Sequence, residues 1–350
     1  MKSGVVTRPF LCRFGFCLVT LASVWGLARS GLLADEGTRR IPLLEYPECI
    51  ELSNPTTRVV LGHHVGGRVL VYERQGKNVL YLSPGEAGWK AAPNLKGREV
   101  TAGRLDIGPE LLARRGPTLW SGEWESEIIG PRAARLTSAI DPESGLQIVR
   151  DFRLAADSSR LTILQQVRNH ASTTSRHAFW SRAFAVHGGI GIVPVTPDTS
   201  RYPNLYTMHA DRASVQLRPV DRHVRRQGDF LVIDGPPAFP KLGFDSSAGW
   251  VAYQTPTDLL FVHRFPVYPE RVYAEATGMT LSLWYPERER IAACEIEPIG
   301  PLEVVPPGGA SRFTVDWWLL EHPFPDAGAI DAEAIAALVE QQCRAPAAPP

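Results

Sequence analysis

The chain has 350 residues with 30 Gly, 30 Pro and 44% hydrophobic side chains, enough to bury a large core in one or two domains, which excludes a disordered or collagen-like chain. Its 37 basic and 37 acidic residues cancel, so no net field draws it to a phosphate backbone or an anionic membrane, and nucleic acid is not an expected partner. Nine Trp, nine Tyr and thirteen Phe against three Met favour β-structure with flat aromatic surfaces.

The first predicted element is a leader. Lys2, Arg8 and Arg13 accompany an apolar run from Phe14 to Leu27, after which Ala28 and Ala34 are small residues suited to cleavage. That run is shorter than the roughly 20 residues that span a bilayer. A signal peptide and leader over residues 1–34 is therefore expected, with an exported protein, periplasmic or extracellular, and no permanent membrane span. Removing residues 1–28 leaves 34 basic against 37 acidic side chains and the cysteines Cys49, Cys294 and Cys343. These three show no CxxC and no metal-ligand spacing, so separately buried thiols are expected, and neither metal nor other cofactor.

From about residue 45 to 322, alternating or β-branched runs recur between Gly, Pro, Asn and Asp at spacings of roughly 8 to 12 residues, as in an antiparallel sandwich or barrel. Arg58 to Leu61 and Arg68 to Tyr72 flank the Gly66-Gly67 turn, and Asn78 to Leu82 follows Gln75-Gly76-Lys77. Leu146 to Leu154 pairs with Arg160 to Val167, and Gly249 to Gln254 with Leu259 to Phe265, each across a turn-rich segment. Thr280 to Tyr285, Ala292 to Glu297 and Ser311 to Leu320 add strands, the last with Trp317 and Trp318 on opposite sides. No GxGxxG opens a helix, no GxxxxGKS/T loop is present and nothing repeats at a fixed period, which excludes dinucleotide and P-loop enzymes. Adjacent His63 and His64 are expected to diverge, with no third ligand at a fitting spacing. Residues 331–350 close the chain. Asp331 caps a helix from Ala332 to Gln342 whose Ile335, Leu338 and Val339 share a face, and a Pro/Ala tail follows.

Three stretches resemble the galactose mutarotase-like superfamily: Val59 to Leu61 with Gly66-Gly67-Arg68 and Gly76 to Leu80; Gln166 to Asn169 with Ala178 to Arg182; and Glu295 to Pro298 with Pro307-Gly308-Gly309 and Phe313 to Leu320. The resemblance covers about residues 45–322. It implies an all-β, antiparallel supersandwich, here with a short C-terminal helix. Gly103 to Glu110, Lys241 to Ser246 and Cys294 to Pro301 are similar to an exported bacterial family of unknown function within that superfamily.

Aldose epimerases pair a base for the anomeric hydroxyl with a proton donor to the ring oxygen. The resemblance puts the base at Glu297, which shares a strand face with Glu295, while Cys294 and Ile296 take the other face. The His-x-Tyr-Phe-like segment that carries the acid is replaced by His177-Ala-Phe-Trp-Ser-Arg182, so His177 is the nearest candidate, although on a strand it faces away from Trp180 and Arg182. Arg104 resembles the early site arginine, with Asp106 and Glu110 beside it; a loop salt bridge is the bland alternative. Trp120, Trp124 and Trp180 are candidates to stack on a sugar, a role that competes with core packing. Arg182, which stays charged and suits a carboxylate or sugar hydroxyl, joins Glu295, Lys241, Asp245, His263 and Arg264 to complete the candidate substrate contacts, at most one of the last two entering a shared pocket. The expected ligand is a carbohydrate or other small polyol. The expected function is an exported carbohydrate-binding protein, with mutarotase-like or other sugar-processing chemistry on a carboxylate base, and the alternative is a noncatalytic glycan-recognition or accessory module. A polysaccharide lyase or hydrolase would need a longer chain or a helical toroid domain.

Overall fold

The computed structural model describes residues 37–90, 100–110, 112–113, 116–211, 214–326 and 329–344. The leader over residues 1–34 and the last six residues of the tail lie outside them. Among the described residues, strands between Thr38 and Glu321 form two sheets, of 13 and 10 strands. Neighbours pair antiparallel throughout each sheet, as in the partnering of Leu161–Asn169 with Leu146–Leu154 and with Ala310–Glu321.

Alternation explains how the sheets pack. In Leu161–Asn169 every second residue, Leu161, Ile163, Gln165, Val167 and Asn169, is buried and those between are partly exposed, so one face of the strand, mostly apolar, must be covered. Its apolar side chains meet Leu105, Phe179, Leu242, Leu283 and Ile296 of the larger sheet in a single inter-sheet core. Trp317 lies in that core and Trp318 on the other side of the smaller sheet. There Ala332–Gln342 packs Ile335 and Val339 against Ile192, Val262 and Trp318, each such side chain contributing about 1.5–3 kcal/mol on burial. The Asp331 carboxylate accepts the Ala334 N–H at 3.0 Å and caps this helix.

Polar struts cross the core. Arg150 of the smaller sheet donates to the carbonyls of Gly67 and Gly103, where the strands Arg68–Arg74 and Gly103–Gly108 share a single paired position, Val69 with Gly103. Cys49, Cys294 and Cys343 are buried and unpaired. Among the described residues no helix is long and apolar enough to cross a membrane. His63 and His64 do not diverge: their rings sit 3.9 Å apart and His64 stacks on Tyr46, because they follow the end of the Thr57–Gly62 strand and strand alternation does not govern them.

Candidate functional site

Six neighbouring strands of the larger sheet build the site. In spatial order they are Gly103–Gly108, Ser175–Val186, Ala293–Pro298, Leu281–Trp284, Lys241–Phe244 and Thr207–His209. Because Leu105, Phe179, Ala183, Cys294, Ile296, Leu283, Leu242 and Met208 face the inter-sheet core, a period of two sends Arg104, Asp106, Trp180, Arg182, Glu295, Glu297, Trp284, Lys241 and His209 to the outer face. Register then places them side by side. Arg182 lies opposite Arg104, Trp284 opposite Glu295, and Lys241 between Trp284 and His209.

The result is a buried lattice of charge. Arg182 donates to Asp106 at 2.7 Å and to Glu295 at 2.5 Å, and its Nη2 lies 3.0 Å from Glu297 Oε1. Arg104 stands 3.5 Å from Asp106 and 3.7 Å from Glu295. Lys241 Nζ reaches Glu110 at 3.2 Å and Glu297 at 3.7 Å while lying 4.3 Å from the centre of the Trp180 ring. Burial pushes both neighbouring glutamates up, and their negative charges oppose each other. For Glu295 this outweighs the two arginines and lifts it to about 8. For Glu297 the pull of Lys241 and then Arg182 overcomes burial and holds the carboxyl well below the usual carboxylate range. The two carboxyl groups titrate as a pair, Glu295 driven toward its protonated form and Glu297 toward its ionised form.

Loops roof part of this face and leave a cleft of about 270 Å³. Glu297, Lys241, Arg182, His209 and Trp284 line it from the sheet, and Glu110, Asp211, Glu275, Met279 and Arg290 from the loops. Gly243 lets Thr207 and Met279 pack closely beside Lys241: a Cβ there would stand 2.7 Å from Thr207 Oγ1 and 3.0 Å from Met279 Cε. The His209 ring bonds Thr207 Oγ1 at 3.1 Å, and burial, with Lys241 nearby, brings its pKa down to about 4. Glu275 accepts the backbone N–H of Glu110 at 2.8 Å and of Ala276 at 3.1 Å, and burial raises its pKa.

Of the residues singled out in the sequence, Glu297, Lys241, Arg182 and Glu110 line the cleft; Glu295, Arg104, Asp106 and Trp180 lie behind or beneath it. Trp180 is covered by Lys241 and Arg182, so its ring face is taken by cations. Trp120 sits beside Arg104, 5.4 Å from the guanidinium.

The others lie elsewhere. His177 faces the opposite side of its strand from Arg182 and joins the two sheets, with Nδ1 2.9 Å from Ser175 Oγ and Nε2 2.8 Å from Ser311 Oγ. Burial lowers its pKa to about 4. It does not share a cleft with Glu297. Trp124 packs in the inter-sheet core with Leu136. Asp245 accepts from Ser200 Oγ at 2.7 Å and the Arg201 N–H at 2.6 Å, tying down that loop. His263 is fully buried between Phe261 and Trp317 in the core, and Arg264 pairs with Glu340 of the C-terminal helix. Both belong to the smaller sheet, so neither reaches the cleft.

The sequence reading missed His209, Trp284, Met279 and Glu275. Trp284 carried a signal, since it lies on the expected strand Thr280 to Tyr285 in alternation with Ser282. Glu275 and Met279 carried none, because loop residues have no period that assigns them a face.

No protein-family model matches the chain, and no curated protein matches it in sequence. Solved structures do resemble it. A galactose mutarotase-like protein from Lactobacillus casei ATCC 334 shares 10% identity over 78% of this chain and 100% of its own, with a TM-score of 0.54. A candidate aldose 1-epimerase from Klebsiella pneumoniae subsp. pneumoniae MGH 78578 shares 13% over 87% and 85%, with a TM-score of 0.51. A galactose mutarotase related enzyme from Lactobacillus acidophilus shares 10% over 79% and 98%, with a TM-score of 0.50. Two stacked antiparallel sheets, a buried glutamate pair on the outer face and these likenesses give one conclusion: the chain has the galactose mutarotase-like fold.

Proposed function

We propose that the protein binds a carbohydrate in the Lys241–Glu297 cleft, exchanges protons at its anomeric centre, and works outside the cytoplasm under the direction of residues 1–34. One observation carries the reading: the Glu297 carboxyl is held at the wall of a small cleft on the outer sheet face, 3.7 Å from Lys241, with Glu110 and Trp284 around it. Alternating donors and acceptors beside an aromatic edge suit a ligand with many hydroxyls and an apolar C–H face. The names of the structural neighbours are consistent with such a ligand. A noncatalytic glycan-recognition module is the second reading, favoured by the placement of His177 in the inter-sheet core.

Calorimetric titration with a panel of aldoses, paired with polarimetric relaxation of each sugar, tests the proposal. Lys241→Ala is expected to weaken binding by about tenfold, as loss of a charge-assisted contact does. Glu297→Gln is expected to slow relaxation about 100-fold or more while affinity changes little. Binding with unaltered relaxation would select the recognition module, and no binding of any aldose would reject both readings.

A further inference from the structure

We propose that Glu275 is the proton donor of this cleft, the counterpart of Glu297, serving a pyranose whose ring oxygen faces the Glu275 loop. The assignment rests on the anomeric proton exchange proposed above and supplies the group that exchange lacks once His177 is placed between the sheets. Both carboxyl groups line the same cleft from different elements. A short chain of contacts connects them: Glu297 to Lys241 at 3.7 Å, Lys241 to Glu110 at 3.2 Å, and the Glu110 N–H to Glu275 at 2.8 Å.

The backbone around Glu275 is built to hold it. Thr277 adopts φ +62°, a left-handed conformation that a β-branched residue rarely takes. It is kept there by the Tyr202 hydroxyl, 2.9 Å from Thr277 Oγ1, and by Arg201, which donates to the Gly278 carbonyl at 2.7 Å. Such strain persists where the surroundings over-determine it, and the group it positions here is a carboxyl at the edge of a cleft. The Glu110 and Ala276 N–H groups fix its plane.

The other titratable groups of the cleft fit the role less well. Lys241 is an ammonium already shared by Glu110 and Glu297, and Arg182 stays charged. His209 is held neutral near pH 7 by burial and by Lys241. Glu275 is pushed toward its protonated form by burial, against its two backbone donors and Lys241 and together with the charge of Glu110. Two carboxyl groups driven in opposite directions within one site are the pattern of an acid and a base.

In the exchange, the Glu275 proton passes to the ring oxygen as the C1–O5 bond breaks and its electron pair moves to O5. Glu297 takes the proton of the anomeric hydroxyl as the C1–O1 double bond forms. Rotation about C1–C2 and the reverse transfers close the ring with the other configuration, and each carboxyl recovers its starting state.

Polarimetric relaxation across pH tests the assignment, with wild type, Glu275→Gln, Glu275→Asp and His209→Asn compared and sugar affinity measured by calorimetry for each. In the wild type, kcat should fall as pH rises through the Glu275 pKa. Glu275→Gln should lose about 100-fold in kcat with KM within about threefold, Glu275→Asp should keep the alkaline fall at reduced rate, and His209→Asn, which alters a wall of the cleft, should keep the alkaline fall whatever its rate. Relaxation by Glu275→Gln within threefold of wild type overturns the assignment while leaving the reading of the cleft intact, as does an alkaline fall that vanishes only in His209→Asn. A wild type that binds aldoses without relaxing them overturns Glu275 as acid, and one that binds none overturns the reading of the cleft as well.

Discussion

Arg182 faces three carboxyl groups at once, those of Asp106, Glu295 and Glu297, and is 4% exposed. Removing one partner of a buried ion cluster leaves the rest uncompensated, which costs far more than the intact cluster contributes. Arg182→Met is therefore expected to destabilise the fold by about 3–5 kcal/mol in denaturant titration, and Arg182→Lys by nearly as much, because an ammonium cannot serve three acceptors with the geometry of a guanidinium. Equal stability of wild type and Arg182→Met would show that Asp106 and Glu297 are not held as charges by the guanidinium.

Four buried or half-buried histidines set the acid side of the stability profile. Burial lowers His63, His177 and His209 to about 4 and His263 to about 3. Between these values and an ordinary 6.5 the unfolded chain holds protons that the folded one does not, so stability is present above pH 6.5 and is lost as pH falls toward 4. Glu295 has the opposite sign. Its raised value of about 8 means the folded state keeps a proton the unfolded state has released, so its contribution is lost as pH rises from about 4.5 to 8. The melting temperature is expected to climb from pH 4 to about 6.5 and then to decline toward pH 8. Glu295→Gln should flatten the decline, and His263→Phe should flatten part of the climb.

At the scale of elements, one strand separates the two halves of the catalytic expectation. In Ser175–Val186 the residues at odd positions, His177 and Phe179 among them, enter the inter-sheet core, and those at even positions, Trp180 and Arg182, enter the outer face. Alternation already showed in the sequence that His177 and Arg182 part company. What alternation does not show is which face holds the cleft, because that depends on the loops that roof one side. The C-terminal helix is a simpler case. Its cap and apolar stripe are local, and the structure shows the same helix, Ala332–Gln342, capped by Asp331. Asp331→Ala is expected to cost about 1 kcal/mol through the lost cap, and Ile335→Ala about 2–5 kcal/mol through the cavity left against the smaller sheet. Thermal unfolding of both variants checks this; an Ile335→Ala cost below that of Asp331→Ala would mean the helix is not packed as described.

For the molecule as a whole, the site exists because segments far apart in the chain become neighbours in one sheet. Gly103–Gly108 borders Ser175–Val186, which borders Ala293–Pro298, so that Arg104 stands 3.7 Å from Glu295. Hairpins such as Leu146–Leu154 with Leu161–Asn169 were legible because strand, turn and strand are contiguous. The glutamate pair was legible as a pair, and Arg104 and Lys241 as charges beside strands. His263, Arg264, Asp245 and Trp124 were drawn into the candidate site by residue type alone, and the sheets took them elsewhere.

The amino-acid order alone determined the β class, the alternation of each strand, the helix at the end and the shared face of Glu295 and Glu297, since each follows from contacts between residues close in sequence. Only the tertiary structure decided that Lys241, Trp284, His209 and Glu275 surround that face and that His177 does not. Strand order and loop roofing come from pairings across tens to hundreds of residues, and no local period records which distant strand supplies the neighbour.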